Sequence, residues 1–335
     1  MTGRRSLRWV AAGLIGLSSP VWLNAMAAAA EIALWGGLHH EGRLVGLYEF
    51  RDGRLSLRPG ASFTGLLRQV SVNELGFRGV APQAEAPEHG LRVWASGGGT
   101  AFDIFASSDA AAWPHQLQLQ LAERTGRPVE VVNAGIPGEV IEGSIDDYRR
   151  LAPGLGMDWW VVYHGPNDLR TVLFMGRPPS PERRLPDYAI VRLWSRLRPP
   201  VRPASWPDRR LTGRELDELK RRLDRLAQAA RETNARVVLA THAHRGQDGA
   251  VGDEAWEQMK EASQLLQMSP EAVIDAFAQY NALVVERCRA ERWVCVDVRA
   301  GVGTDSGSWG DAIHFADAGS ARAAQVIAEA IADAS

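Results

Sequence analysis

The sequence predicts an α/β protein built on one parallel sheet covered by helices on both faces. Three observations carry that expectation. From about residue 91 short apolar runs alternate with amphipathic stretches, the runs are rich in valine and tryptophan, and glycine or proline turns separate the two kinds of segment. A chain of 335 residues, 45% hydrophobic and 23% charged, has ample material for the core this requires. Basic and acidic residues nearly cancel, 38 against 40, so no global positive field exists to hold nucleic acid, which is not expected as a partner. All but two of the basic residues are arginine, which reads as the base composition of the gene rather than guanidinium-specific recognition.

Taken in order, the chain begins with Arg4, Arg5 and Arg8, and between Trp9 and Leu38 the sole charge is Glu31. A helix over residues 10–34 would be ~37 Å long at ~1.5 Å per residue, enough to cross a hydrocarbon core of ~30 Å. Trp9 and Trp35 would then lie at the two interfaces. Residues 1–38 are therefore expected to be a cytoplasmic basic start and a single inner-membrane anchor, with the main domain periplasmic or otherwise extracytoplasmic. The alternative is a signal peptide, because the apolar run over 9–17 is followed by Pro20 and a small-residue site at Ala25-Met26-Ala27; cleavage there would secrete the body. Residues 39–90, with scattered glycine, proline and apolar positions, read as an irregular, strand-containing extension.

Residues 91–335 form the main domain. Strands are expected over 92–96, 129–133, 159–163, 236–241 and 293–298. Helical periodicity runs over 110–124, 139–151, 212–233, 270–289 and 317–331, with a capping box at Thr212-x-x-Glu215. Five strands and five helices make one doubly wound domain. Residues 175–210 break the rhythm with eight prolines interleaved with arginines and read as a surface insertion, a lid over the site being one possibility. Cys288 and Cys295, with six residues between them, would pair in an oxidising compartment; equally they could be a core thiol and a bystander.

In open doubly wound sheets ligands bind beyond the carboxyl ends of the strands. The loops there read Gly97-Gly98-Gly99-Thr100-Ala101-Phe102-Asp103, Asn133-Ala134-Gly135-Ile136-Pro137-Gly138 and His164-Gly165-Pro166-Asn167-Asp168, and Asp311-Ala312-Ile313-His314-Phe315 precedes the last helix. Together these blocks resemble the SGNH, or GDSL, family of serine esterases and acyl hydrolases over roughly residues 70–333. Flanking features agree: Val72-Asn73-Glu74-Leu75-Gly76-Phe77-Arg78-Gly79, Trp113-Pro114 and Tyr280-Asn281, together with an N-terminal segment similar to that of membrane-anchored members. The resemblance implies a flavodoxin-like three-layer fold and, without cofactor or metal, a site in which His314 is the base and Asp311 orients it. Asn167 and the Gly138 N–H would donate to an oxyanion, and Asn133 and Asp168 would support them from behind.

The family's nucleophilic serine falls at Gly99. Ser96 comes three residues early, within the strand end, and Thr100 one residue late, so neither replaces it. The covalent acyl-enzyme route is closed, while the Asp-His pair and oxyanion donors remain. The expected function is thus that of a membrane-anchored pseudoenzyme binding an ester-bearing ligand, such as an acylated glycan or lipid, with Gly99 among the lining residues. Two alternatives stand beside it: a non-catalytic accessory subunit making contacts with other membrane-protein subunits, and a serine esterase whose serine has been substituted.

Two other signals are discounted. His242, His244, Asp248 and Asp253 match no standard metal-ligand spacing, and the glycines at 97–99 lack both the third glycine of a dinucleotide fingerprint and a Walker lysine. Of the 12 tryptophans, Trp9, Trp22 and Trp35 fall in the anchor and Trp94, Trp159, Trp160 and Trp293 in strands. This leaves Trp113, Trp194, Trp206, Trp256 and Trp309 as candidates for a ligand or partner surface.

Overall fold

A computed structural model describes residues 20–40, 43–51, 53–175, 188–191 and 206–335. Helix α1 (Pro20–Trp35) opens the described chain. Three two-stranded antiparallel hairpins follow: His39–His40 with Arg43–Leu44, Tyr48–Arg51 with Arg54–Leu57, and Ser62–Thr64 with Gln69–Ser71. These make up the expected strand-containing extension. No helix among the described residues is long and apolar enough to cross a membrane. Residues 10–19 of the expected span lie outside the described residues. Within α1, Ala27 and Glu31 are buried against the body.

The main sheet contains β1 (Leu91–Gly97), β2 (Val129–Gly135), β3 (Trp159–Tyr163), β4 (Arg236–Ala240) and β5 (Val294–Val296). Its order is β2-β1-β3-β4-β5, and every neighbouring pair is parallel. This is the flavodoxin-like doubly wound order, with its switch point between β1 and β3. The alternation of a buried strand sorts side chains to the two faces. Val93, Ala95, Trp159, Val161 and Tyr163 enter one core; Trp94, Trp160 and Val162 enter the other, so the adjacent Trp159 and Trp160 serve opposite layers.

The first layer is completed by α3 (Trp113–Thr125) and α10 (Asp317–Ala334), which pack on each other. The second contains α4 (Ile141–Leu151), α5 (Pro166–Leu173), α6 (Gly213–Arg231), α7 (Gly252–Leu266) and α8 (Pro270–Glu291). Two short helices, α2 (Gly99–Phe102) and α9 (Val298–Val302), follow β1 and β5. The capping box of α6 is formed as expected, Thr212 and Glu215 each satisfying the other's main chain.

Some boundaries differ from expectation for identifiable reasons. Helix α3 starts at Trp113 rather than residue 110 because Pro114 occupies its first turn, where a missing N–H costs nothing. Strand β5 stops at Val296 because the Asp297 side chain caps α9 by accepting from the Ala300 N–H. Helix α7 was not expected at all; its buried stripe is Ala255, Trp256, Met259, Ala262, Ser263 and Leu266, half of them small residues that leave a faint apolar pattern. Cys288 and Cys295 form a disulfide joining the last turns of α8 to β5. The tryptophans reserved for a ligand surface are largely interior: Trp113, Trp256 and Trp309 are buried, and Trp206 packs beside Trp256. Trp194 lies outside the described residues, as does most of the proline-rich insertion.

Candidate functional site

The loops after β1, β2 and β3 converge at the carboxyl end of the sheet, and the segment before α10 closes over them. Asp311 and His314 form the expected pair. His314 Nδ1 lies 2.8 Å from Asp311 Oδ2, and Asp311 Oδ1 accepts the main-chain N–H groups of Ile313 and His314, each at 2.8 Å. Burial alone would raise the Asp311 carboxyl, but the His314 imidazole and these hydrogen bonds outweigh it and hold the group below the ordinary carboxylate range. A carboxylate fixed on Nδ1 leaves Nε2 facing the other way.

Nε2 faces Gly99. A Cβ built on Gly99 would lie 3.0 Å from His314 Nε2 and 3.5 Å from Ile104 Cγ2. Gly99 is the first residue of α2 and is not among the glycines with left-handed φ, so its backbone accepts a side chain. A serine there would present its hydroxyl to the imidazole after a movement of a few tenths of an ångström. The Ser96 hydroxyl is committed elsewhere: Ser96 is fully buried and accepts the Trp160 indole N–H at 2.8 Å. Thr100 is buried, and its main-chain carbonyl accepts the Trp113 indole N–H at 2.9 Å.

Asn167, in the first turn of α5, donates its amide to the Glu139 carbonyl at 3.0 Å. A Cβ on Gly98 would stand 2.5 Å from the same amide nitrogen. Asn167 thus lies against the loop carrying Gly99, and Gly138, whose φ of 92° is left-handed, makes the turn immediately before Glu139. Asp168 is fully buried: its Oδ1 accepts the Ile141 N–H at 3.1 Å and pairs with Arg222 at 3.3 Å. Asn133 accepts the Gly135 N–H and donates to Phe102 O. Asp168 thus ties the start of α4 to α6, and Asn133 ties the end of β2 to α2.

Several participants were not anticipated. Arg78, almost wholly buried, donates to the carbonyls of Phe102 and Asp103, pairs with Asp109 at 2.8 Å, and lies over the Phe102 ring. The extension thereby clamps the loop after β1. Asp103, with a left-handed φ of 66°, accepts from the Trp113 N–H at 2.8 Å and the Ser320 hydroxyl at 2.6 Å, tying that loop to α3 and α10. Burial pushes its carboxyl up to about 6. Beneath Asn167, His164 Nε2 meets Ser144 Oγ at 2.9 Å while Nδ1 lies 3.3 Å from Asp168; all three are buried, so they join α4 to α5 rather than meet a ligand. Glu139 packs on Gly143, and burial with the neighbouring Asp147 carboxylate raises it to about 7.

His242 and His244 are fully buried, and both stack on Phe277. Among the described residues no cluster of three or more His, Cys, Asp or Glu could hold a metal.

Comparison with known proteins bears on this geometry. A search of curated proteins finds no match. Solved structures of similar shape include an α/β hydrolase from the metagenome of Lake Arreo, Spain, at 16% identity and TM-score 0.45, covering 75% of this chain and 97% of that one. They also include a variant of an acetyl xylan esterase from Geobacillus stearothermophilus (14%, 0.47, 73% and 96%) and the lipase/acylhydrolase from Enterococcus faecalis (15%, 0.45, 73% and 96%). Residues 95–322, more than half of the chain, match the GDSL-like lipase/acylhydrolase family. With the blocks at Gly97–Gly99, Gly135–Gly138, Asn167 and Asp311–His314 standing in sequence between the expected strands, the chain belongs to the GDSL-like lipase/acylhydrolase family.

Proposed function

We propose that the protein is a membrane-attached, extracytoplasmic GDSL-type pseudoenzyme that binds an ester-bearing ligand, an acylated glycan or lipid, without forming an acyl-enzyme. The observation that carries this reading is the 3.0 Å between His314 Nε2 and the Cβ position of Gly99. The base and its carboxylate are in place, and the residue they would activate has no side chain. A site that had merely decayed would not be required to keep Asp311 on Nδ1 or Asn167 beside the loop. The extracytoplasmic placement is supported by the disulfide, which persists in oxidising compartments, and the attachment by the acid-free, arginine-led start of the chain.

The test is to restore the nucleophile. Gly99→Ser should hydrolyse short-chain p-nitrophenyl esters at least about 100-fold faster than the unmodified chain, since a triad serine typically contributes more than that. The gain should vanish when His314→Ala is added. If Gly99→Ser stays at the background rate while remaining folded, the site is not an ester site and the reading fails.

A further inference from the structure

Helix α1 carries its polarity in reverse. Its two polar side chains turn inward: Glu31 is buried, and Asn24 Oδ1 accepts the Ile190 N–H at 3.2 Å. The exposed positions are Trp22, Leu23, Ala25, Met26, Ala29, Ile32 and Ala33, all apolar, with Met26 61% and Ile32 49% exposed. A helix on a protein facing water shows the opposite arrangement. The face continues beyond the helix. Leu66 and Leu67, 81% and 57% exposed, donate their N–H groups to the carbonyls of Ala33 and Leu34, so the two leucines extend from the end of α1. The next residue, Arg68, lies 5.8 Å from the centroid of the Phe105 ring, and Phe105, itself 40% exposed, lies 5.9 Å from the His314 ring.

The geometry points to a bilayer as the occupant of this face: the outward side of α1 and the Leu66-Leu67 loop sit in the headgroup-acyl boundary, with the lip of the His314 site at the lipid surface. An apolar face that enters a bilayer by ~5–10 Å needs a polar side held by something else, here the body of the protein. The residues preceding α1 agree in chemistry, since residues 1–19 contain Arg4, Arg5 and Arg8 and no acidic residue, and run directly into this helix. Contiguity through Leu67, Arg68 and Phe105 makes the ligand class a lipid-borne acyl ester presented from the membrane plane. That last step rests on the ester-binding reading; the docking does not.

The test uses the full chain in vesicles of phosphatidylethanolamine and phosphatidylglycerol with brominated acyl chains. The two native cysteines are joined to each other, so an introduced cysteine is the only thiol to label. Bimane attached at Met26→Cys or Leu67→Cys should be quenched several-fold more strongly than bimane at Glu88→Cys, an exposed position just before β1, at the opposite end of the sheet from the site. Adding Leu66→Glu to Met26→Cys should at least halve the quenching at position 26. Quenching at 67 no greater than at 88 would overturn the proposal. So would protection at 26 and 67 without lipid quenching in a chain that sizes as a dimer in detergent, which would assign the face to a second copy. For the ligand class, Gly99→Ser should cleave a bilayer-embedded acyl ester, and Leu67→Glu should lower that rate several-fold relative to a soluble ester. A Gly99→Ser protein inactive on both esters, with lipid quenching intact, would sink the ester reading and leave the docking standing.

Discussion

A glycine at position 99 leaves His314 with a carboxylate fastened behind it and free reach in front, an order that can be probed once a hydroxyl is returned. In a Gly99→Ser protein, further replacement of Asp311 by Asn should cut ester hydrolysis by about 1,000-fold or more with little change in KM. An amide accepts no hydrogen bond through its NH2 group and can hold the ring in the wrong tautomer. Equal rates with Asp and Asn would show that the Asp311 carboxylate does not orient His314 for the reaction. The pair itself was legible because it is local, three residues apart on one turn. That Nε2 meets Gly99 was not, since the two positions are brought together by tertiary folding; it was inferred through resemblance. Asp103 looked like one more loop residue, and only its neighbours, the Trp113 N–H and the Ser320 hydroxyl, reveal it as a fastening.

Elements were legible in proportion to how strongly burial marks them. Strands β1, β2 and β3 are interior to the fold over most of their length; β3 writes an unbroken apolar run, and β1 and β2 write runs interrupted by Arg92 and Ser96 and by Glu130 and Asn133. Helix α7 buries alanine and serine beside Trp256 and Met259, and such a stripe hardly differs from a loop. The hairpins of residues 39–71 are two to four residues long per strand, too short for any period to show. The extension is fixed to the domain by an apolar cluster of Leu44, Leu47, Leu57, Val70 and Val72 with Phe102 and Ile136, and by the Arg78 side chain. Arg78→Ala would take a charged donor from Asp109 and from two carbonyls and leave a buried space, so urea unfolding should show a loss of about 3 kcal/mol at unchanged slope. A loss below about 1 kcal/mol would mean the clamp is not needed for the loop after β1.

For the molecule as a whole, stability in acid depends on opposing buried groups. Burial, aided by Arg299 and opposed by Asp248, lowers the His244 imidazole to about 3, and burial carries His242 well below its ordinary range. Such a histidine stays neutral when folded but takes a proton when unfolded below about pH 6.5. Its contribution is therefore complete above that pH and is lost as pH falls toward 3. Asp103 and Glu139, raised to about 6 and about 7, act in the reverse sense, favouring the fold below those values. The histidine term is isolated by difference: His244→Leu should flatten the pH dependence of unfolding between pH 6 and 4 by up to about 1.4 kcal/mol per pH unit relative to the unmodified chain. Parallel curves would show that His244 is protonated in the fold.

The Asp103–Ser320 hydrogen bond spans 217 residues. Asp103 caps the α2 turn that positions Gly99, and its carboxyl cannot find this partner until α10 has been made and has docked. Long-range closures of this kind come late in folding because their loop entropy must be met first. Strands and helices that precede α10 can therefore assemble before it, yet the loop that would carry a nucleophile gains this tether only after α10 has docked.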